Sequence, residues 1–389
     1  MTASTAPDPI PASTHPAAAL WHAVRTDHLL HILLLVLVML AFVSSTSIAR
    51  YPALVDWPTI AALTGLLALT KGLELSGALA WLGRKLIAAM ATQRRAALLL
   101  VAAAIALSTV LTNDVALFVV VPLSLGVCRL TGMPAARLIV FEALAVNAGS
   151  ALTPIGNPQN LFLWQLSKVP FEQFVLHMLP LAALLSLALL VLTALSFHAR
   201  PIALARDDGH AAPLDRPLLW LSLALYIPFL AATDLHQVGW ALAVVLGLLL
   251  LLRPAVLARL YWGLLLVFVL MFIDLRLVAA LPAVQHLVSS LALDAPGHAA
   301  RLYFAGIAAS QVISNVPAAI ALAAYSEDWK VLAYAVSVGG FGTAVGSLAN
   351  LIALRMAGER RAWMLFHVFA VPFLLLATVL GYALLFLRA

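Results

Sequence analysis

Charge is what this 389-residue chain has least of: 22 Lys/Arg and 16 Asp/Glu make up 10% of it, against 64% hydrophobic residues. Soluble domains carry roughly 25% charged residues, so this chain folded in water would present an almost uncharged surface. That excludes a water-soluble enzyme or binding module. Cysteine is nearly absent too, and a lone Cys128 allows neither a disulfide framework nor a thiolate metal site. No H-E-x-x-H, G-x-S-x-G, Walker loop or dinucleotide fingerprint occurs, and Asp207-Asp208 sits in a polar loop. A non-enzyme is expected, with no cofactor and no metal beyond a coupling Na+. Although the pI is ≈ 9.8, the basic residues lie between apolar runs and form no aromatic-laced patch, so nucleic acid is excluded as a partner.

What the chain does have is apolar sequence. A mean hydropathy of +1.06 and apolar runs recurring from residue 29 to 387 predict an all-α polytopic protein partnered by the lipid bilayer. The alternation of barrel strands is missing. Residues 1–27 form a polar tail, and the first apolar run exceeds a signal-peptide core of about 7–15 residues, so it is read as an uncleaved span. Candidate spans are 29–48, 57–76, 134–165, 175–197, 217–233, 237–252, 258–279, 330–356 and 364–387. Two further regions, about 94–128 and 300–328, each consist of two apolar arms around a polar tip. Arms of roughly 14–18 residues, short of the ~20 needed to cross, predict re-entrant hairpins, tolerated where backbone is buried in protein or lines a watery cavity.

Basic residues favour the cytoplasmic side. With the N-terminus inside, 15 of them fall in cytoplasmic segments, whereas only Arg50, Lys168, Arg301, Lys330 and Arg388 face outward. Nine crossings follow, or eleven if both hairpins cross, in a multi-pass inner-membrane protein with its C-terminus outside. The remaining pair, Lys71 and Arg276, is expected to snorkel from span ends, with Glu74 and Asp274 close by. His177 and His367 are read as interfacial.

The second half repeats the first. Trp57 and Lys71 match Trp262 and Arg276 at an offset of 205; Ser108-T-V-L-T-N-Asp114 matches Ser310-Q-V-I-S-N-Val316 at 202. At 190, Gly149, Thr153, Gly156, Asn160 and Leu161 meet Gly339, Thr343, Gly346, Asn350 and Leu351. Five crossings separate the copies, so the second is inverted: repeat 1 covers 28–197, a linker 198–216, and repeat 2 covers 217–389 with one extra leading span. Inverted repeats with broken helices at matching positions point to a secondary transporter whose site lies between them.

Asn147 to Asn160 reads N-A-G-S-A-L-T-P-I-G-N-P-Q-N. Gly149, Pro154, Gly156 and Pro158 must interrupt the helix there, and Thr153 and Asn157 are good caps for the downstream half. The second copy is broken by Gly339, Gly340, Gly342 and Gly346, beside Thr343, Ser347 and Asn350. Thr112, Asn113 and Asp114 form one hairpin tip; Ser314, Asn315 and Pro317 form the other. Such groups can cap the following arm, with Pro317 at its first position, or bind a ligand. Four half-helix N-termini converging on one cavity would favour a small anionic solute. Asp114, opposite the neutral Val316, and Glu142, about two turns before the break, are the intramembrane acids that could hold a coupling cation or carry a proton; a hydrogen-bonded structural acid is the alternative for Glu142.

These stretches, with Pro122, resemble the ion transporter superfamily, which includes citrate transporters, divalent-anion/sodium symporters, arsenite-efflux permeases and sodium/proton antiporters. The resemblance spans about residues 28–388. It implies a hairpin and an interrupted helix per half, binding by Thr112, Asn113, Asn157, Asn160, Ser314, Asn315, Thr343 and Ser347, elevator-type transport coupled to H+ or Na+, and a homodimer. The T-N-D tip is similar to the arsenite and sodium/proton branches, whereas T-P-I-G-N-P-Q-N is similar to the citrate-transporter-like group. The leading expectation is a coupled transporter of a small anion. A sodium/proton antiporter or arsenite efflux permease is the alternative, ahead of an intramembrane enzyme or a non-transporting scaffold.

Overall fold

The computed structural model describes residues 27–44, 46–202, 214–290 and 298–387, without the side chains of 28 and 287–290. Most of the polar tail and of the linker lies outside the described residues. The first half comprises α1 (His28–Val43), a 3₁₀ turn (Ile48–Leu54), α2 (Trp57–Leu75), α3 (Ala78–Ala88), hairpin arms α4 (Gln93–Val110) and α5 (Asn113–Thr131), α6 (Ala135–Ser150), α7 (Pro158–Ser167) and α8 (Phe171–Ser196). The second comprises α9 (Arg216–Asp234), α10 (Val238–Leu252), α11 (Pro254–Ala258), α12 (Trp262–Ala279), α13 (Pro282–Ser290), arms α14 (His298–Ile313) and α15 (Asn315–Leu322), α16 (Trp329–Gly339), α17 (Leu348–Ala357) and α18 (Arg360–Phe386). Among the described residues the one extended pairing is Thr92 with Pro201.

Helices start where the sequence supplies a cap. The carboxylates of Asp27, Asp56, Asp215 and Asp328 accept backbone N–H groups of the first turns of α1, α2, α9 and α16 at 2.9–3.3 Å, and α2 and α9 carry Pro in the first turn, where no donor is missed.

By length and apolarity α4, α5, α8, α9, α12 and α18 can each cross a bilayer, and α2 adds a seventh span if joined to the 3₁₀ turn bent 60° from it. The nine-crossing count draws also on α1, α10 and the split pairs α6/α7 and α16/α17, each piece being short. The hairpin arms differ from expectation. The first pair has 18 and 19 residues, because the helices run on through the polar ends Gln93–Arg95 and Arg129–Thr131, and the last arm has only 8. Pro317 is accordingly third, not first, in α15. The short helices α3 and α13, at equivalent places in the two halves, were not expected.

The first hairpin nevertheless stops inside the protein. Arg94 Nε and Arg137 Nη1 donate to the carbonyls of Phe197 and Ser196 at 2.9 and 3.1 Å, so α4 and α6 start together beside the end of α8. The tip reaches only to the end of α6, where the Asn113 N–H meets the Gly156 carbonyl at 2.8 Å. From there α7 continues for 10 residues, about 15 Å at 1.5 Å per residue.

The inversion is visible against the same helix. α16 starts beside the beginning of α8: Trp329 stacks on Phe174, His177 Nε2 lies 3.2 Å from the Lys330 carbonyl, and the Tyr334 hydroxyl donates to the His177 carbonyl at 3.0 Å. The equivalent helices α6 and α16 therefore enter from opposite ends.

Lys71 corrects the snorkelling expectation. It is 6% exposed, donates to Glu74 Oε2 at 2.7 Å and lies 4.0 Å from the Tyr261 ring centroid. A partner within one helical turn and an aromatic face replace the journey to the interface. Arg276 remains partly exposed, 4.0 Å from Asp56.

Close approach of α4 to α6 depends on Gly149, where an added Cβ would stand 2.2 Å from the Ile105 carbonyl oxygen and 2.4 Å from Ser108 Oγ. Gly339 meets Ser310 Oγ at 2.4 Å in the same way. Small residues let helices close in without a hydrophobic drive between them. Gly149→Ala should destabilise the purified protein by about 1–3 kcal/mol, read by thermal unfolding in detergent. Gly247→Ala, with nothing within 4 Å, should not; equal melting of both variants would contradict this packing.

Candidate functional site

A broken helix exposes the last carbonyls of one half and the first N–H groups of the other, and a bilayer offers no water to meet them. The same residue solves this in both copies. Asn160 Nδ2 reaches back from α7 to the carbonyls of Ser150, Ala151 and Thr153 at 3.3, 3.1 and 3.4 Å. Asn350 Nδ2 does so from α17, to those of Gly340 and Thr343 at 2.9 and 3.3 Å. Each break is also tied to its hairpin by a threonine: Thr153 Oγ1 donates to the Thr109 carbonyl at 2.6 Å and Thr343 Oγ1 to the Gln311 carbonyl at 3.2 Å. The partners stand at the offsets of the sequence repeat.

Asn157 caps α7, accepting the Asn160 N–H at 2.8 Å while its Nδ2 donates to the Ser150 carbonyl at 3.0 Å. Thr153 Oγ1 accepts the Gly156 N–H at 3.2 Å. Ser347 precedes α17 without a side-chain cap bond. In the second break Gly342 is the residue that needs a left-handed φ, +95°.

The halves meet at these breaks. Asn147 Nδ2, on α6, donates to Asn350 Oδ1 at 2.8 Å and lies 3.3 Å from the Gly340 carbonyl. A Cβ on Gly340 would stand 3.1 Å from Asn315 Nδ2 and 3.6 Å from Asn147 Cγ, which puts the second tip at the same junction. Asn147, Asn350, Asn315 and Gly340 thus form one buried polar centre, with all three asparagines at most 4% exposed.

The tips do not act as caps. Neither Thr112 nor Ser314 makes a side-chain cap bond, and Thr112 Oγ1 is buried with no partner. Asn113 Oδ1 accepts the Asp114 N–H at 2.9 Å. Ser314 has φ +76° and ψ 155°, a region essentially reserved for glycine and costing on the order of 1–3 kcal/mol. Asp114 is 9% exposed, and its Oδ1 has no hydrogen-bond partner among the described residues.

Glu142 is fully buried on α6 and accepts from the Ser124 hydroxyl of α5, while its other oxygen, Oε2, is unpartnered among the described residues. It lies among helix contacts rather than at the tip or break. His367, read as interfacial, approaches the second break: its Nε2 is 3.4 Å from the Ala344 N–H.

Three residues escaped the sequence reading. Asn147 and Gln311 lie inside the quoted motifs, but their long-range partners are invisible in sequence. Asp274, expected near Arg276, is 2% exposed with neither carboxylate oxygen hydrogen-bonded among the described residues; an acid inside an apolar span was its only signal. Two surface depressions of ≈ 360 and ≈ 500 Å³, the first flanked by Arg276 and Tyr325 and the second by His177 and Lys330, contain no tip or break residue.

The Asn147–Asn350 bond gives a direct test of the junction. A double-mutant cycle with Asn147→Ala and Asn350→Ala, followed by unfolding in detergent, should show a coupling of about 1 kcal/mol. Additive effects would mean that the two side chains do not meet.

Comparison with known proteins places the chain among membrane transporters. Inner membrane protein YbiR of Escherichia coli (strain K12) is 47% identical over 364 residues, 93% of this chain and 96% of that protein. Uncharacterized transporter MJ0456 of Methanocaldococcus jannaschii is 30% identical over 307 residues, 78% of this chain and 82% of the relative. Uncharacterized transporter Rv2684 of Mycobacterium tuberculosis (strain ATCC 25618 / H37Rv) is 27% identical over 349 residues, 79% of each. Residues 20–339 match the family described as Citrate transporter, CitMHS. This multi-pass membrane chain, with its paired hairpins and broken helices, belongs to that family of transporters.

Proposed function

We propose that the chain is a secondary transporter of a small anion, a carboxylate or an inorganic oxyanion, driven by H+ or Na+. The observation that carries the reading is the start of four helices, α5, α7, α15 and α17, at the two tips and two breaks, which touch through Asn113–Gly156, Asn147–Asn350 and Asn315–Gly340. Helix N-termini present N–H groups and a positive dipole end, and four of them around one buried centre suit an anion.

Asp114 supports the coupling. It stands at the first tip, buried, with an oxygen free for a cation or a proton. Thr112, Asn113, Thr153, Asn157, Asn160, Ser314, Asn315, Thr343, Ser347 and Asn350 would line the solute and ion path. An elevator movement of tips and breaks together would carry the site across. The 47% identity to a protein named for the inner membrane supports the same location here, and the basic residues gathered where α4, α6 and α8 meet support a cytoplasmic face at that end. The acid at the first tip also keeps a second reading open, sodium/proton exchange or arsenite efflux.

Flux in proteoliposomes under imposed proton or sodium gradients separates these. Citrate, succinate, sulfate or phosphate accumulation is expected; arsenite efflux or cation exchange without anion movement would favour the second reading. If no solute moves while the protein is folded, transport itself is wrong. Asp114→Asn should abolish gradient-driven accumulation, and unchanged uptake in that variant would remove Asp114 from the mechanism.

A further inference from the structure

The two breaks share a backbone path and differ in what satisfies it. In the second, Gln311 inserts its amide into the turn: Nε2 donates to the Gly339 carbonyl at 2.8 Å and Oε1 accepts the Thr343 N–H at 2.8 Å. The glycines make room for it, since a Cβ on Gly342 would stand 2.6 Å from Oε1. In the first half the equivalent residue is Thr109, whose hydroxyl stays on its own helix, donating to the Ala106 carbonyl at 2.7 Å.

Unsatisfied buried oxygens are divided just as unevenly. Among the described residues, the first tip and break hold Thr112 Oγ1, Asp114 Oδ1, Gln159 Oε1 and Asn160 Oδ1 without partners. At the repeat-related positions stand Ser314, Val316, Ala349 and Asn350, and none of them has such an atom; Asn350 Oδ1 is met by Asn147 at 2.8 Å. On that side Ser337 Oγ, in the last turns of α16, is the one exception. Orphaned buried polar atoms call for a ligand, a proton or a water, and unwound carbonyls with free oxygens are what a hard cation takes at a broken helix.

We infer that Gln311 is a tethered occupant of the second break, its amide filling the place of an ion, so that the coupling cation is taken at the first tip and break alone. The inference rests on the transport reading and deepens it: the repeats are alike in scaffold and unequal in role. The first half, with Asp114 and its free oxygens, is the ion-responsive one. The second half is held by the protein's own amides and is left to position the solute.

Hydrogen exchange of the full-length protein in detergent tests this without any transported solute. Amides would be compared in sodium chloride against equimolar choline chloride, and at acid against neutral pH after correction for the intrinsic exchange rate. Protection at 109–116 and 150–160 should change with sodium or with protons, and protection at 309–316 and 339–350 should not. Gln311→Thr, which installs the first half's residue, should speed exchange at the Thr343 amide about fivefold, as expected for loss of one hydrogen bond. Equal responses in the two halves, or none in the first, would overturn the inference in the wild-type protein alone, whether or not the variant folds. Unchanged exchange at Thr343 in a folded variant would do the same. A failed flux assay would instead strike the transport reading, so the two failures are distinguishable.

Discussion

A helix interrupted inside a membrane must find partners for its freed backbone groups within the protein, and two asparagines do this here. Asn160 and Asn350, each in the first turn after its break, reach back to the carbonyls before it. The rest of the centre is arranged around those two side chains. The hairpin threonine ties hold each tip at the mended turn, the glycines at 149 and 339 let the hairpin arm close on the broken helix, and Asn147 links one break to the other. A polar centre built this way is rigid where it is satisfied and responsive where it is not.

Much of this was legible in the sequence because the duplication is. The offsets of 202 and 190 bring out Thr153 with Thr343 and Asn160 with Asn350, and the hydrogen bonds follow the same pairs. Two prolines and two glycines marked the first interruption, and four glycines without a proline marked the second. Length and partners were not legible. The arms of the first hairpin, 18 and 19 residues, reach the top of the expected range because polar ends of a helix look like loop in an apolar sequence, whereas the last arm of the second, 8 residues, falls well below it. Lys71 looked like a snorkelling residue because its aromatic partner, Tyr261, belongs to the other half. The bond between Asn147 and Asn350 spans 203 residues, and no local pattern announces it. Asp274, with no partner for either oxygen among the described residues, has no counterpart among the repeat pairs and no account in the geometry of the breaks.

Inverted repeats give a protein two equivalent approaches to its centre, and the differences between them make the two approaches chemically unequal. Here the differences are few and chemical: Asp114 against Val316, Thr109 against Gln311, and an asparagine carbonyl left open at 160 but answered at 350. A strained Ser314 at the second tip adds a conformational asymmetry. Membership of a citrate transporter family fits a centre surrounded by helix N-termini; the unequal halves are this chain's own.

The proposed elevator movement requires alternating access to the two tips, and single-cysteine labelling reaches it most directly. The native Cys128 is buried, so the exposed, repeat-related tip neighbours can be read one at a time, as Val110→Cys and Val312→Cys, with a membrane-impermeant maleimide in oriented vesicles. Each tip should react from one side under one ion gradient and from the other side when the gradient is reversed. Reaction from both sides at once, or from neither under any gradient, would contradict the account.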